Sequence, residues 1–165
     1  AKAFIRFRKE VRGGNNVFSA DGRLLAYRAD FVKQIRIPVT MIANDAYTYF
    51  CCITTGGQYK YVPSAIVLYR SPQTIRDQIS QNTRFLAAHR RMNTYFDPKI
   101  VSNEFAIPPS LYIQTITTEA LSYPIHCLVI LFINKFCFLQ SLLKERRLNG
   151  VWAMSRTTKM NITTA

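Results

Sequence analysis

The sequence is poor in negative charge. Nine Asp and Glu stand against 22 Lys and Arg among 165 residues, which gives a formal net charge of +13. This imbalance argues against cationic partners and favours an anionic one, such as nucleic acid, lipid headgroups or a diphosphate substrate. The basic residues are scattered, with denser spots at 6–9, 90–91 and 144–147. Dispersed charge of this kind does not decide among the three classes of partner.

Metal-ligand patterns are also scarce. The four cysteines form no Cys-x-x-Cys pair, and neither histidine stands at zinc-ligand spacing, which argues against structural zinc. Cys127 and Cys137 lie in an apolar run, where a free thiol behaves as a small hydrophobe. We therefore expect these thiols to be reduced and buried, and the chain to reside in a reducing compartment.

The N-terminal region lacks three recognisable features. It has no apolar core of a secretory signal, no nucleotide-binding βαβ unit and no Asp-x-Asp motif. The first residue is Ala rather than Met, so we expect a truncated N-terminus. The hydrophobic fraction of 48% and charged fraction of 19% argue against disorder and predict one globular or membrane-associated unit.

Local patterns predict a mixture of strands and helices in the first hundred residues. The run 22–28 and the alternating or β-branched segments 58–62 and 65–69 are typical of strands. A helix is expected from Asn44 to Ile53, ended by Gly56 and Gly57. Another is expected from Pro72 to about Arg91, with Ser71 as its N-cap. The predicted core stripe of this second helix is Ile75, Ile79 and Leu86, and its polar face is Asp77, Gln81 and Arg84.

The most apolar segment runs from Pro124 to Leu143, a length that suits a bilayer span. Lys135 near its centre costs about 2.5 to 3.5 kcal/mol in a bilayer, which brings insertion close to balance. Basic residues flank the segment on both sides, so an interfacial or re-entrant helix with both flanks cytoplasmic satisfies the charges better than a single span. The interfacial, spanning and soluble-core interpretations all stay open, and membrane association at the cytoplasmic face is expected.

Three motifs in order resemble the second half of the family-2 glycosyltransferases. They are Gly22-Arg23-Leu24-Leu25-Ala26-Tyr27-Arg28, the pair Asn44-Asp45, and Gln81-Asn82-Thr83-Arg84-Phe85 in place of the usual Gln-x-x-Arg-Trp. The resemblance covers about residues 20 to 159, including Trp152 and 155–159 near the end. It implies an α/β fold, a partial GT-A-like mixed sheet with packed helices, followed by a C-terminal apolar membrane or interfacial helix. The boundaries expected are 1–105 for the catalytic portion, 106–147 for the membrane-associated helices and 148–165 for a polar tail.

The resemblance also implies roles for individual residues. Asp45 would be the base that takes the proton from an acceptor hydroxyl, with Asn44 beside it at the acceptor. Arg84 would stabilise the diphosphate leaving group, Gln81 would contact donor or acceptor, and Phe85 would replace Trp as a packing platform. The alternatives are that Asp45 only caps a helix and that Gln81 and Arg84 lie on a solvated helix face.

The expected function is therefore the acceptor-side half of an inverting glycosyltransferase of polysaccharide biosynthesis. Its partners would be a nucleotide-sugar donor, a glycan or lipid acceptor and a membrane surface. No cofactor is expected in this chain, because the divalent metal, Mg or Mn, would sit in the missing half, without which the chain would be inactive. The alternatives are a basic nucleic-acid-binding protein, which residues 6, 8, 90 and 91 with interleaved aromatics would suit, and a non-catalytic remnant.

Overall fold

The computed structural model describes residues 2–69 and 72–144, and within these ranges it contains helices and no β-strand. The α/β fold with a mixed sheet was therefore a wrong prediction. A 3-10 turn at Val11–Gly14 follows the first helix. The α-helices are α1 (Lys2–Glu10), α2 (Ala29–Gln34), α3 (Asn44–Thr54), α4 (Ile75–Met92), α5 (Pro98–Phe105), α6 (Pro109–Ser122) and α7 (Pro124–Lys144).

The three predicted strands are turns and irregular backbone instead. Segment 22–28 forms a turn and an irregular stretch, and segments 58–62 and 65–69 flank a turn at Pro63 without pairing to each other. Alternation and β-branched residues indicate an extended backbone, but a strand exists only where a second strand supplies hydrogen bonds. The described ranges offer these segments no such partner.

Helix α3 confirms the sequence prediction at both ends. It begins at Asn44 and ends at Thr54, and Gly56 follows in the left-handed conformation at φ +78°. The Gly57 N–H donates to the Cys52 carbonyl over 2.8 Å, and the Gly56 N–H donates to Ile53 over 3.4 Å. This pair of hydrogen bonds is a Schellman motif, which satisfies the last carbonyls of the helix.

The core is built mainly from aromatic and sulfur-containing side chains around α3. Phe50 is fully buried and packs against Phe96 and Phe105 with ring centroids 5.3 and 5.9 Å away. Met41 and Met92 complete the same cluster from the loop before α3 and from the end of α4. This core therefore joins α3, the C-terminal end of α4 and α5.

Helix α4 begins three residues later than the sequence suggests. Thr74 is its N-cap, and the Thr74 hydroxyl accepts from the Asp77 N–H over 3.2 Å. Pro72 precedes the helix, and Ser71, the predicted cap, lies outside the described residues. The predicted core stripe is wrong at Ile75, which is 70% exposed, while Ile79 and Leu86 are half-buried.

Helix α7 confirms the predicted apolar helix over residues 124–143. By length and composition it is the one helix among the described residues that could cross a membrane, and only 11% of this stretch is buried within the protein. Eleven of its apolar side chains are at least 46% exposed: Ile125, Leu128, Val129, Ile130, Leu131, Phe132, Phe136, Phe138, Leu139, Leu142 and Leu143. A core helix of a soluble protein would bury most of them.

Candidate functional site

Asp45, the predicted base, stands in the first turn of α3 and binds backbone with both carboxylate oxygens. Its Oδ2 accepts from the Gly22 N–H over 3.2 Å, and its Oδ1 accepts from the Ala46 N–H over 2.9 Å. The turn at Gly22 is thereby tied to the start of α3, 23 residues further along the chain. This geometry gives the carboxylate a structural role, although Asp45 does not act as the N-cap, which is Ala43.

Two shallow cavities meet at Asp45. One has a volume of about 200 Å³ and is lined largely by Tyr27, Phe31, Tyr49 and Tyr59, together with Cys52. The other has a volume of about 490 Å³ and is lined by aliphatic residues of segment 22–37 and by Arg23, Tyr27, Asn44 and Thr48. Both expose more apolar than polar surface, and each is lined by one arginine, Arg28 in the first and Arg23 in the second.

Two polar groups at this site, the hydroxyls of Tyr27 and Thr48, are hydrogen-bonded within the protein. The Thr48 hydroxyl donates to the Asp45 carbonyl over 3.0 Å and lies 2.9 Å from the Tyr27 hydroxyl. Burial raises the pKa of the Tyr59 phenol and of the Cys52 thiol, which favours their protonated forms. Neither group is therefore activated as a nucleophile at neutral pH.

The predicted site residues of α4, Gln81, Arg84 and Phe85, are not assembled with Asp45 in either cavity. Arg84 is 9% exposed, and its Nη2 donates to the Ile42 carbonyl over 3.2 Å. Burial lowers the pKa of this guanidinium. Gln81 is half-buried, Phe85 is 52% exposed, and none of the three residues lines a cavity at Asp45.

A second candidate site is the outward face of α7, which we define by Leu128, Phe132, Lys135 and Leu139. At about 100° per residue these side chains span roughly 60° of the helix circumference, opposite Cys137. Leu128, Phe132 and Leu139 are 58, 76 and 52% exposed. The sequence predicted an apolar helix, but not which of its sides would be left uncovered.

The opposite face of α7 makes its contacts with α4 through polar and small groups. The Asn82 Nδ2 donates to the Asn134 Oδ1 over 3.3 Å, and the Arg90 Nη2 donates to the Ser141 Oγ over 2.8 Å. The buried Cys137 thiol donates to the Ile79 carbonyl over 3.7 Å. These three hydrogen bonds of α7 to α4 use polar or small groups, whereas the outward face of α7 is apolar except for Lys135.

A pairing of this kind is common where a helix faces lipid. Between such helices the hydrophobic effect supplies little attraction, so they associate through small residues and interhelical hydrogen bonds. Helix α4 also contacts the core on its other side, through Met92, and so lies between α7 and the core. This order leaves α7 as the outermost layer on its side of the core.

The chain was compared with protein families, with curated proteins and with solved structures, and no match was found in any of the three. The resemblance to family-2 glycosyltransferases is a wrong identification, because the described residues contain no part of a GT-A-like mixed sheet. The polar tail and Trp152, which were also part of that resemblance, lie outside the described residues. No group of three or more His, Cys, Asp or Glu that could hold a metal occurs in ranges 2–69 and 72–144.

Proposed function

We propose that the protein binds membrane surfaces through the outward face of α7. The observation that carries this proposal is the exposure of α7, which leaves eleven of its apolar side chains at least 46% exposed. Fully burying one side chain the size of Leu or Phe contributes about 1.5 to 3 kcal/mol, so a few of them suffice for stable partitioning. Helix α7 is long and apolar enough to permit association with a membrane.

The helix lies in the interface in this proposal and does not cross the bilayer. Helix α4 packs along α7 and carries Arg84 and Arg90, the latter hydrogen-bonded to Ser141. In a spanning arrangement these guanidinium groups would approach the hydrocarbon, where each costs about 2.5 to 3.5 kcal/mol at the centre of a helix. An interfacial α7 keeps α4 and the aromatic core on the aqueous side.

Lys135 fits an interfacial helix better than a spanning one. It is exposed and stands among the leucines of the outward face. In a helix that lies about 5 to 10 Å into the headgroup and acyl boundary, its four-carbon stem can bring the ammonium to the headgroups. At the centre of a span the same stem would have to cross half of the hydrocarbon core, about 15 Å.

Co-sedimentation with phosphatidylcholine and phosphatidylglycerol vesicles tests the proposal. Wild type is expected to sediment with the vesicles, and Phe132→Glu to bind at least about tenfold more weakly, because it removes an apolar side chain and adds a charge. Leu68→Glu is the matched control, since Leu68 is 85% exposed but lies outside α7. Equal binding by Phe132→Glu and wild type, or self-association of the wild type without vesicle binding, would contradict the proposal.

Sugar transfer stays an untested prediction, and the geometry gives it no support, because Gln81, Arg84 and Phe85 line neither cavity at Asp45. Nucleic-acid binding would use the exposed cations instead of α7. Steeply salt-dependent binding to oligonucleotides, with no binding to vesicles, would favour that alternative.

A further inference from the structure

A cation stands at the N-terminal end of α7, supplied by a different helix. The Lys2 Nζ of α1 lies 5.2 Å from the centroid of the Tyr123 ring, and Tyr123 directly precedes Pro124, the first residue of α7. Both Lys2 and Tyr123 are exposed. An ammonium held over an aromatic ring at this place is suited to the headgroup level of a membrane, where tyrosine is enriched.

A second cation stands towards the other end of the same helix. The Arg90 guanidinium of α4 donates to the Ser141 hydroxyl and lies 5.9 Å from the centroid of the Phe138 ring. Leu128 and Phe132 of the outward face lie between the two cations along the helix, and Arg90 contacts α7 on the opposite face. One positive charge therefore stands towards each end of α7.

Helix α1 carries a second exposed lysine, Lys9, on the same side as Lys2. At about 100° per residue, Lys2, Ile5 and Lys9 span roughly 60° of its circumference, opposite the buried Phe7. Ile5 is 50% exposed. The ion pairs found among the described residues involve Arg6, Arg8, Arg12 and Arg23, and none of them includes Lys2 or Lys9: Arg6–Glu10, Arg8–Asp21, Arg12–Glu104 and Arg23–Asp21.

We propose that Lys2 and Arg90 bind the anionic headgroups of lipids towards the two ends of α7, so that the protein selects anionic membranes. This inference rests on the proposed membrane function and names its lipid class. Phosphate and carboxylate groups of the headgroups are the anions within reach of an interfacial helix, and each Lys or Arg near an anionic surface contributes about 1 kcal/mol. The net charge of +13 adds a long-range attraction of the same sign.

Vesicles of phosphatidylcholine with increasing fractions of phosphatidylglycerol test the inference. Lys2→Gln and Arg90→Gln are each expected to weaken binding to the anionic vesicles about fivefold and to leave binding to pure phosphatidylcholine unchanged. Lys33→Gln on α2 is the matched control for net charge and should have a smaller effect than either. Arg90→Gln loses the hydrogen bond to Ser141, so circular dichroism melting is used to check that this variant is folded. Lys2→Gln removes no hydrogen bond or ion pair described for the protein.

The outcomes separate this inference from the function on which it rests. If wild type binds vesicles but Lys2→Gln keeps the full preference for phosphatidylglycerol, or loses no more of it than Lys33→Gln, the headgroup assignment is overturned and the membrane proposal stands. If wild type binds neither kind of vesicle, the membrane proposal itself fails. Raised salt should reduce only the anionic preference, because screening acts on charges and not on the apolar contact.

Discussion

Asp45 links two parts of the chain that are distant in sequence. Its carboxylate accepts one N–H from the turn at Gly22 and one from Ala46 within its own helix. A carbon added at Gly22 would lie 3.4 Å from the Asp45 Oδ2, so the turn and the carboxylate are already in close contact. A residue used in this way is expected to matter for stability whether or not it has a chemical role.

Replacing Asp45 with Ala is expected to lower the free energy of unfolding by about 1 to 2 kcal/mol, because two hydrogen bonds to a partly exposed carboxylate are lost. Urea unfolding followed by circular dichroism measures the change. Asp30→Ala is the control, since Asp30 lies on the exposed surface of α2 and its loss should change the stability by no more than about 0.5 kcal/mol. If the Asp45→Ala protein is as stable as wild type, the hydrogen bonds of Asp45 do not stabilise the fold.

The position of a residue in a helix was easier to predict from the sequence than the residues that it contacts. The pair Asn44-Asp45 was expected at a helix start, and the pair does begin α3. The contact with Gly22 could not be predicted, because it depends on how a loop 23 residues upstream folds back. Arg84 was expected on a polar face, but it is buried because α4 is covered by α7 on one side and by the core on the other.

At the scale of elements, α3, α5 and the 3-10 turn are joined by one polar cluster. Glu104 of α5 receives a hydrogen bond from the Tyr49 hydroxyl over 2.5 Å and forms an ion pair with Arg12 over 2.6 Å. The Arg12 Nη2 also donates to the Asn103 carbonyl over 2.6 Å, which satisfies backbone at the end of α5. Burial, with the hydrogen bond to Glu104 next in size, raises the pKa of Tyr49.

This cluster predicts a loss of stability at alkaline pH. Since the pKa of Tyr49 is higher in the folded than in the unfolded chain, its contribution is complete below the unfolded value of about 10 and falls as the pH rises above it. Tyr49→Phe should be less stable than wild type by about 1 to 2 kcal/mol at neutral pH and lose less stability between about pH 9 and 11. Urea unfolding across this range measures the stability at each pH, and Tyr112→Phe is the control. If the stability of Tyr49→Phe and of wild type changes with pH in parallel, Tyr49 is not the group responsible.

The helices with strong local signals were predicted correctly, whereas the predicted mixed sheet does not occur among the described residues. The Gly56-Gly57 pair and the apolar run 124–143 act through neighbouring residues, so they identify α3 and α7 directly. Whether segments 22–28 and 58–69 become strands depends on pairing, which local composition does not encode. The motifs that resemble those of glycosyltransferases are short, and finding them in the right order did not predict the fold correctly.

For the whole molecule, the central feature is one apolar helix, α7, that is hydrogen-bonded to α4 on one side and leaves most of its apolar side chains exposed. The sequence predicted the apolar length of α7 and left the interfacial, spanning and core interpretations open. Its exposure argues against the core interpretation, and the charged α4 packed along it favours the interface over a span. Neither the exposure nor the position of α4 can be obtained from periodicity alone, since both depend on which elements cover which face.

The most direct test of the account is the depth of α7 in the bilayer. Tryptophan is placed singly at Leu128, Phe132 and Leu139 in a Trp152→Phe background, with Leu68→Trp as the control, and its fluorescence is quenched by lipids brominated at different depths. The account predicts that all three positions lie at a similar shallow depth, about 5 to 10 Å below the headgroups, and that Leu68→Trp is not quenched. If Phe132→Trp is quenched most strongly near the bilayer centre, about 15 Å deep, α7 spans the membrane. If no position is quenched, α7 does not contact the membrane. Either result would contradict the account.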